Sequence, residues 1–315
     1  MRALRYRAFG PIAQVLKVEE IDAPQPARGE VVVRVSHAGI NPLDWKLAEG
    51  QFRWLAKSRP PCGVASEFAG EVARLGPGVS HFRVGERVVG WLHSFAEPPR
   101  ALAEEVGVAA AQCVPVPVGL SLKQASVVPV AGLSALQMIE LAGVRRGQRV
   151  LVHGAAGGVG SFAVPLLRDR GAFVVATGSA SSQEFLRKMA PDAQLDYATP
   201  VETWPGPFDA ILDCASRLPR TLLPTLLPSG GAYVATLPSF PGVIIDPLLN
   251  VFRQRRSHAL RLEPDAAQLA QLLAMVAEQR VPVQLSRVYS FANALDALAE
   301  SRRGHTHGKL TVALD

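Results

Sequence analysis

The sequence predicts an α/β fold in which a compact, irregular β-barrel is combined with a doubly wound parallel sheet. Two observations lead to this prediction. Short β-branched runs separated by Gly and Pro fill about the first 120 residues, as in small irregular barrels. From residue 149 onward, buried strands alternate with helices, which indicates right-handed βαβ units and therefore a parallel sheet.

The amino-terminal region carries three clear strand signals, at residues 31–40, 67–76 and 84–91. From residue 121 the pattern becomes helical. Ser121 is a candidate amino-terminal cap for this helix, and Pro129 should end or kink it, because proline lacks the N–H that a helix interior requires. This change of pattern predicts the end of the first part of the barrel.

The doubly wound part is predicted from short apolar runs with helices between them. Strands are expected at 149–153, 172–177, 208–215 and 231–237, and helices at 158–171 and 182–190. A helix at 265–280, a strand at 284–289, a helix with Phe291, Ala294, Leu295 and Leu298 on one face, and a strand at 309–314 complete the chain. Strand signals therefore return after the parallel sheet.

The composition fits two globular domains. The chain has 315 residues, of which 48% are hydrophobic and 19% charged. No apolar run approaches the roughly 20 residues that span a bilayer, and the amino terminus lacks the apolar core of a secretory signal, so a cytoplasmic location is expected. Cys62, Cys113 and Cys214 are too far apart in sequence to suggest a disulfide framework or a metal clamp.

The net charge of +6 would permit an acidic partner. Lys and Arg are scattered, however, and no run of five or more occurs. The densest cluster, at 253–256, is interpreted as a solvated face rather than a phosphate-binding patch. Nucleic acid is therefore not an expected partner.

The most specific motif is a glycine-rich turn between a predicted strand and a predicted helix. Gly154, Gly157 and Gly160 are spaced three apart, and a second strand begins 12 residues beyond Gly160. Small residues allow a pyrophosphate to approach the backbone, where N–H groups and the positive end of a helix receive its charge. The residues expected to hold the dinucleotide are Gly154, Ala155, Ala156, Gly157, Gly158, Val159 and Gly160. The alternative is a tight structural turn without a ligand.

The residues after the second strand favour NADP over NAD. An NAD site of this kind usually carries Asp or Glu about 20 residues beyond the turn. Here that position is Thr177, and no carboxylate follows until Glu184. Candidate contacts to the adenosine ribose and 2′-phosphate are Thr177, Ser179, Ser181 and Ser182, with Arg187 or Lys188 as a source of charge. The serines have an alternative role as helix caps.

Several further motifs occur in a fixed order along the chain. They lie at 38–50, 66–90, 128–137, 153–160, 208–215 and 304–314. In this order they resemble the medium-chain dehydrogenase/reductase superfamily, and specifically its zinc-free quinone oxidoreductase (zeta-crystallin-like) branch. The resemblance implies a GroES-like catalytic domain built from both chain ends around a Rossmann domain that binds the cofactor. It also implies a homodimer that pairs Rossmann sheets edge to edge, with the nicotinamide in the cleft between the domains.

Taken with the change of pattern, the resemblance divides the chain into three parts. Residues 1–121 form the first part of the GroES-like domain, 122–262 the Rossmann NADP-binding domain, and 263–315 the return to the catalytic domain.

The zinc ligands of the superfamily are not matched. Zinc alcohol dehydrogenases carry a Cys after the first long strand, a Gly-His-Glu stretch, and a later Cys or Asp. Here the first region has no Cys, and the second reads Ala65-Ser66-Glu67, with Ser in place of His. A structural zinc site would need four cysteines near 90–115, and only Cys113 is present. No metal is therefore expected, and a zinc alcohol dehydrogenase is the less favoured enzyme class.

The resemblance implies hydride transfer from NADPH to a small molecule, either a quinone or an α,β-unsaturated carbonyl. Asn41 matches a position beside the nicotinamide, with an Asx turn before Pro42 as the alternative. Lys46 stands where many relatives have Tyr, and would contact the nicotinamide ribose or the substrate carbonyl, unless it is an exposed helix-surface lysine. Asn41 and Lys46 are the candidate catalytic residues.

Three further residues are implied as cofactor contacts. Ser134 ends the stretch 131–134 that lines the nicotinamide side, and Tyr197 matches a tyrosine that flanks the 2′-phosphate. Lys309 either reaches the cofactor or forms a salt bridge at a strand end.

The chain departs from its relatives in the segment 91–106, which is rich in Pro and charge, with Glu105 where they carry a Tyr. This segment lies near the substrate in the family, so the substrate is left open. Relatives also often have Lys or Asn beside the 2′-phosphate, where this chain has serines. A non-catalytic NADPH-binding redox sensor, or a binder of single-stranded nucleic acid, is the alternative from another functional class.

Overall fold

The computed structural model describes residues 1–54, 59–92, 98, 100–236 and 255–314. The strands are β1 (Arg2–Tyr6), β2 (Leu16–Glu20), β3 (Glu30–Ile40), β4 (Cys62–Gly63), β5 (Glu67–Leu75), β6 (Arg87–Trp91), β7 (Glu105–Ala109), β8 (Cys113–Pro115), β9 (Arg149–His153), β10 (Phe173–Gly178), β11 (Ala193–Asp196), β12 (Ala210–Asp213), β13 (Ala232–Ala235), β14 (Arg256–Ala259), β15 (Leu285–Ser290) and β16 (Lys309–Ala313). The α-helices are α1 (Ile12–Val15), α2 (Pro42–Ala48), α3 (Leu122–Ala125), α4 (Pro129–Ala142), α5 (Gly158–Asp169), α6 (Gln183–Lys188), α7 (Leu223–Leu226), α8 (Ala266–Ala277) and α9 (Ala294–Arg303).

The chain divides into two compact units. The first unit comprises Met1–Val130, Glu263–Glu278 and Leu285–Asp315, and the second comprises Ala131–Leu262 and Gln279–Gln284. The first division falls after residue 130 rather than 121, because α3 packs against β3, β5 and β6 of the first unit. The short piece Gln279–Gln284 joins the second unit, where Arg280 forms an ion pair of 2.8 Å with Asp169.

The first unit contains a mostly antiparallel sheet in the order β15-β16-β3-β5-β6-β8, with β7 also paired to β3, and a smaller sheet in the order β2-β1-β4. Its core is formed by apolar side chains from both chain ends. The register of β3 is decisive for the site, because Leu310 pairs with Ile40 and Gly39 pairs with Glu67. The carboxyl end of β3 therefore lies between the first residue of β16 and the first residue of β5.

Within the described residues, the second unit contains a parallel sheet of six strands in the order β11-β10-β9-β12-β13-β14. The order runs outward in one direction from β9 and in the other from β12, which is the doubly wound arrangement. The predicted fold class, a GroES-like domain with a Rossmann sheet, is confirmed. β11 and β14 were not among the predicted strands, because each is a short edge strand of mixed polarity without an apolar run.

Helix boundaries follow local chemistry. Ser121 caps α3 by accepting a hydrogen bond from the backbone N–H of Gln124, and the helix ends at Ala125. The break predicted at Pro129 is present, and α4 begins at that proline, where the missing N–H removes no helical hydrogen bond. None of the helices that the structure describes has the length and hydropathy needed to cross a membrane.

Phe68 is a fully buried residue of β5 that packs directly on Gly90 of β6. A Cβ atom on Gly90 would lie 2.5 Å from the Phe68 ring, so the ring fills the space that this glycine leaves. Phe68→Ala should lower the free energy of unfolding by about 3–5 kcal/mol, as expected for truncating a buried aromatic side chain. Denaturant unfolding followed by circular dichroism measures this loss.

Val118→Ala is the matched control, because the Val118 side chain is 99% exposed and its truncation should change the free energy of unfolding by less than about 0.5 kcal/mol. Equal effects of the two substitutions would contradict the placement of Phe68 in the core.

Candidate active site and dinucleotide turn

The glycine turn joins β9 to α5 at the carboxyl end of the parallel sheet. Gly154 has a φ of +75°, a conformation that favours glycine. The backbone N–H of Ala155 donates to the carbonyl oxygen of Thr177 at 2.9 Å, which fixes the turn to the adjacent strand β10. Gly157 is the amino-terminal cap of α5, so the positive end of a 12-residue helix faces the turn. This geometry can hold the phosphates of a dinucleotide.

Gly157 and Gly160 are needed for different reasons. A Cβ atom on Gly160 would lie 2.5 Å from both the Cα of Ala155 and the carbonyl oxygen of Gly154. A Cβ atom on Gly157 would meet only the Gly154 carbonyl oxygen, at 3.5 Å, which is ordinary contact. The fold itself therefore requires Gly160 to be glycine, whereas Gly157 leaves an open surface toward a ligand.

Thr177 supports the turn from within the protein. Its side chain is fully buried, and its hydroxyl contacts the backbone N–H of Gly154 at 3.3 Å and Nδ1 of His153 at 2.9 Å. Burial lowers the pKa of His153, which keeps this imidazole neutral, with nearby Asp213 opposing the shift. The structure thus gives Thr177 a role in shaping the turn, and its predicted contact with the cofactor stays a prediction.

The serines after β10 form a small hydroxyl cluster. The hydroxyl of Ser182 is buried and donates to the carbonyl oxygen of Ser179 at 2.8 Å. Ser182 occupies the amino-terminal cap position of α6, but its side chain makes no capping hydrogen bond there. Ser179 is half-buried, Ser181 is exposed, and their hydroxyl oxygens are 2.9 Å apart. Of these three hydroxyls, those of Ser179 and Ser181 are accessible to a ligand, whereas that of Ser182 is buried.

Tyr197 lies beside the same strand end. Its backbone N–H donates to the carbonyl oxygen of Gly178 at 3.1 Å, and its side chain is 45% exposed. Asp196, which ends β11, pairs in register with Gly178, and its Oδ1 accepts from the N–H of Ala198 at 2.9 Å. The structure thus brings Ser179 and Tyr197 to one edge of the sheet. Ser134 is buried within α4.

The first unit contains a buried polar cluster that we define as Asn41, Asp44, Glu67 and Lys309. Lys309 Nζ donates to Asn41 Oδ1 at 2.6 Å, to Glu67 Oε1 at 2.8 Å and to the carbonyl oxygen of Ile40 at 3.0 Å. Asn41 Nδ2 donates to Glu67 Oε1 at 2.8 Å. All four side chains are buried, so their charges act in a medium that screens weakly.

This geometry favours the salt-bridge alternative for Lys309 over contact with the cofactor. The ammonium group has three N–H donors, and the three acceptors named above are all within the first unit. Asn41 likewise uses its side chain within the cluster. It also stands at the amino-terminal cap of α2 in a capping box with Asp44, so a local capping role is present beside the cluster contacts.

Asp44 has a pKa that is shifted by its surroundings. Burial raises its pKa to about 7, while the backbone N–H of Asn41 and the charge of Lys309 oppose this shift. The Asn41 N–H donates to Asp44 Oδ2 at 2.7 Å, which links the start of α2 to its own first turn.

Lys46 lies in the last turn of α2, the helix that Asn41 begins. It is half-buried, and its Nζ lies 5.4 Å from the centroid of the Trp45 ring in a cation–π arrangement. The side chain is therefore neither fully exposed nor fully buried, which fits either interpretation of Lys46. Both candidate catalytic residues come from one short helix, and whether they touch a substrate stays a prediction.

Sequence reasoning missed Glu67 as a site residue and considered it only as part of a lost zinc motif. The sequence feature that could have identified Glu67 is an acidic residue at the first position of an apolar strand, where residues 68–70 are aromatic or small. Glu105, the departure from the family, has a structural partner. Its carboxylate forms an ion pair of 2.5 Å with Arg74 of β5; both β5 and β7 pair with β3. Residues 93–97 and 99 of the atypical segment lie outside the described residues.

Residues at the zinc positions are ill suited to a metal. Ser66 is buried and offers a hydroxyl, which is not among the usual zinc ligands, and burial raises the pKa of the Cys113 thiol to about 12. Glu67 already receives an ammonium group on Oε1 and the backbone N–H of Val130 on Oε2. Across the ranges that the structure describes, no group of three or more His, Cys, Asp or Glu side chains is arranged to hold a metal.

The chain thus combines a doubly wound unit, which carries a glycine turn between β9 and α5, with a barrel-like unit. Comparison with known proteins gives the family. Residues 27–118 match the alcohol dehydrogenase GroES-like domain, and residues 187–312 match the zinc-binding dehydrogenase family. The chain belongs to the medium-chain dehydrogenase/reductase superfamily, among its quinone oxidoreductases.

Individual relatives agree with this placement. The chain is 31% identical over 324 residues to a chloroplast envelope quinone oxidoreductase homolog of Arabidopsis thaliana, covering 99% of this chain and 98% of the relative. It is 30% identical to 2-methylene-furan-3-one reductase of Solanum lycopersicum, covering 74% of this chain and 61% of the relative. The solved quinone oxidoreductase of Coxiella burnetii is similar with a TM-score of 0.91 and 28% identity, covering 100% of this chain and 99% of that one. Because the first relative is named for the chloroplast envelope, the cytoplasmic location stays a prediction.

The two glycines of the turn separate folding from ligand binding. Gly157→Ala should leave the melting temperature within about 2 °C of the parent, because the fold has room for the methyl group. It should weaken NADPH binding at least about tenfold, because the methyl group occupies the surface that the pyrophosphate needs to approach. Calorimetric titration with NADPH, together with thermal unfolding, measures both quantities.

Gly160→Ala is the paired control. Its methyl group would overlap backbone atoms, so this variant should lower the melting temperature as well as the affinity. If Gly157→Ala kept full affinity, the interpretation of this turn as a phosphate site would be wrong.

Proposed function

We propose that this protein is an NADPH-dependent, zinc-independent reductase that transfers hydride to quinones or α,β-unsaturated carbonyls. The observation that carries the cofactor part is the glycine turn together with the hydroxyl-lined end of β10. Between Thr177 and Gln183 the chain carries no carboxylate that would repel a 2′-phosphate. Ser179 and Tyr197 would bind the adenosine end, with Arg187 or Lys188 on α6 supplying positive charge.

The acceptor part rests on the first unit. When bound, a reduced nicotinamide supplies the hydride. Negative charge then develops on the carbonyl oxygen of the acceptor, and fixed donors near that oxygen lower the barrier. We propose Asn41 and Lys46 as the donors to this oxygen. Asn41 caps α2 and Lys46 lies in its last turn, so the same short helix carries both.

Zinc independence is proposed from the chemistry of the residues present. Three donors already surround the Glu67 carboxylate, and one of them is an ammonium group that would repel a divalent cation. The buried Cys113 thiol favours its protonated form. Neither group fits a tetrahedral zinc site, so no step of the proposed reaction uses a metal.

A homodimer is part of the proposal. β14 is the last strand of the parallel sheet on one side within the described residues, and an edge strand offers unpaired N–H and C=O groups to a second copy. The proposed partner set is therefore one small-molecule substrate and one identical subunit.

The cofactor preference can be tested at Ser179. The parent protein should oxidise NADPH when supplied with a 1,4-quinone or a simple enone, with a higher kcat/KM than for NADH. Ser179→Asp should lower kcat/KM for NADPH at least about tenfold, a loss of about 1.4 kcal/mol, because a carboxylate repels the 2′-phosphate. The value for NADH should change less than about threefold. Steady-state absorbance at 340 nm measures both.

Ser286→Asp is the control, since it adds the same charge at an exposed position of β15 in the first unit. No turnover of either nucleotide with quinones and enones would count against the proposed function, and an unchanged ratio in Ser179→Asp would count against the NADP assignment alone.

Lys46 offers a test of the acceptor site. Lys46→Ala should lower kcat for quinone or enone reduction by about 10²-fold, the usual effect of removing one donor to a developing oxyanion. Lys17→Ala removes an exposed lysine of β2 and should leave kcat unchanged. Stopped-flow measurement of NADPH oxidation gives the rate of the chemical step. Equal rates for parent and Lys46→Ala would remove Lys46 from the site.

A further inference from the structure

The buried cluster fixes the side-chain amide of Asn41 in one orientation. Asn41 Oδ1 faces the ammonium of Lys309 at 2.6 Å, and Nδ2 faces Glu67 Oε1 at 2.8 Å. Rotating the amide by half a turn would place its oxygen against a carboxylate and its NH₂ against an ammonium group. Both contacts would be repulsive in a buried setting, so the ion pair excludes the second orientation.

The same carboxylate holds a second element. Glu67 Oε2 accepts the backbone N–H of Val130 at 2.8 Å, at the amino terminus of α4. A helix of 14 residues begins there, and a negative charge at this end is favourable. One side chain therefore links the start of β5 to the first turn of α4 and to the residue that caps α2.

The Glu67 carboxylate lies close against the backbone of β3 at Gly39. A Cβ atom on Gly39 would lie 2.4 Å from Glu67 Oε1 and 2.6 Å from the carbonyl oxygen of Ser126. Thr311, two residues beyond Lys309, bonds Ser126 Oγ at 3.0 Å and the Ala38 carbonyl oxygen at 3.1 Å. Glycine at position 39 is therefore what allows the carboxylate to sit against β3.

Stability alone is a weak reason for such a pair. Removing two charges from water costs free energy that the attraction between them does little more than offset, and apolar replacements are often as stable. A buried ion pair with several hydrogen bonds instead fixes the orientation of the groups that it contacts, because moving one of them leaves a buried donor or acceptor without a partner.

We propose that Glu67 and Lys309 are positioning residues: they orient the Asn41 amide so that its second N–H is presented in a fixed direction. The amide has two N–H groups, and the hydrogen bond to Glu67 uses one. The other is the donor that the proposed reaction assigns to the acceptor or the nicotinamide. This inference rests on the proposed function for its kinetic test.

A double-mutant cycle separates positioning from simple stabilisation. Glu67→Gln keeps the shape of the side chain and removes its charge, and we expect it to lower kcat for quinone reduction about tenfold with little change in the KM for NADPH. In an Asn41→Ala background the same substitution should lower kcat less than about twofold, because the oriented group is already gone.

Equal losses in both backgrounds, or no loss in either, would overturn the proposal. Glu300→Gln is the matched control, since it removes one partner of a 3.0 Å ion pair with Arg287 at the surface of the same unit, and kcat should not change. If Glu67→Gln does not fold, Lys309→Arg is tested in the same way: it should lower kcat in the parent and have little effect in the Asn41→Ala background. The guanidinium keeps the positive charge but does not place a single donor atom between Asn41 Oδ1 and Glu67 Oε1.

The orientation also has a readout that does not depend on activity. In an ¹⁵N spectrum of the full chain, the Asn41 side-chain NH₂ (identified by its loss in Asn41→Ala) should exchange slowly with water in the parent and faster in Glu67→Gln. Equal exchange rates would overturn the proposal. Absence of turnover in the parent, by contrast, would count against the proposed function and leave this result standing.

Discussion

Lys309 and Glu67 form an ion pair inside the first unit, and much of the local structure follows from it. A buried carboxylate needs donors and a buried ammonium needs acceptors, and here each is supplied by a different segment of the chain. The start of β5, the start of β16, the cap of α2 and the first turn of α4 therefore meet at one point. The two candidate catalytic residues belong to the helix that this cluster anchors.

The second unit depends on a different constraint, the close approach of backbone to backbone at the dinucleotide turn. Gly154 supplies a left-handed conformation, and Gly160 supplies room for the first turn of α5 to lie against the backbone of Gly154 and Ala155. The buried Thr177 side chain of β10 holds the turn in place by hydrogen bonds to the Gly154 N–H and to the buried His153 imidazole. The packing of the turn does not require a glycine at position 157, so its presence there is better explained by a ligand that approaches the backbone.

The doubly wound sheet, its glycine turn and the break at Pro129 were predictable because each leaves a local signal in the sequence. The edge strands β11 and β14 were not, since short edge strands need no apolar run. Asn41 and Lys46 were named from a resemblance. The contacts of Lys309 with Asn41 and Glu67 were not predicted, because they join residues that are 268 and 242 positions apart in the sequence. No periodicity reports such a contact, because only strand register brings the three together.

The most direct test follows the hydride itself. The protein is dialysed against a strong chelator, and its zinc content is measured. It is then supplied with a simple enone and with NADPH in which both hydrogens at C4 of the nicotinamide are replaced by deuterium. The proposed function predicts deuterium on the β-carbon of the product, at a rate that metal removal leaves unchanged. Product without deuterium at that carbon, or activity that is lost with zinc and restored by it, would contradict it.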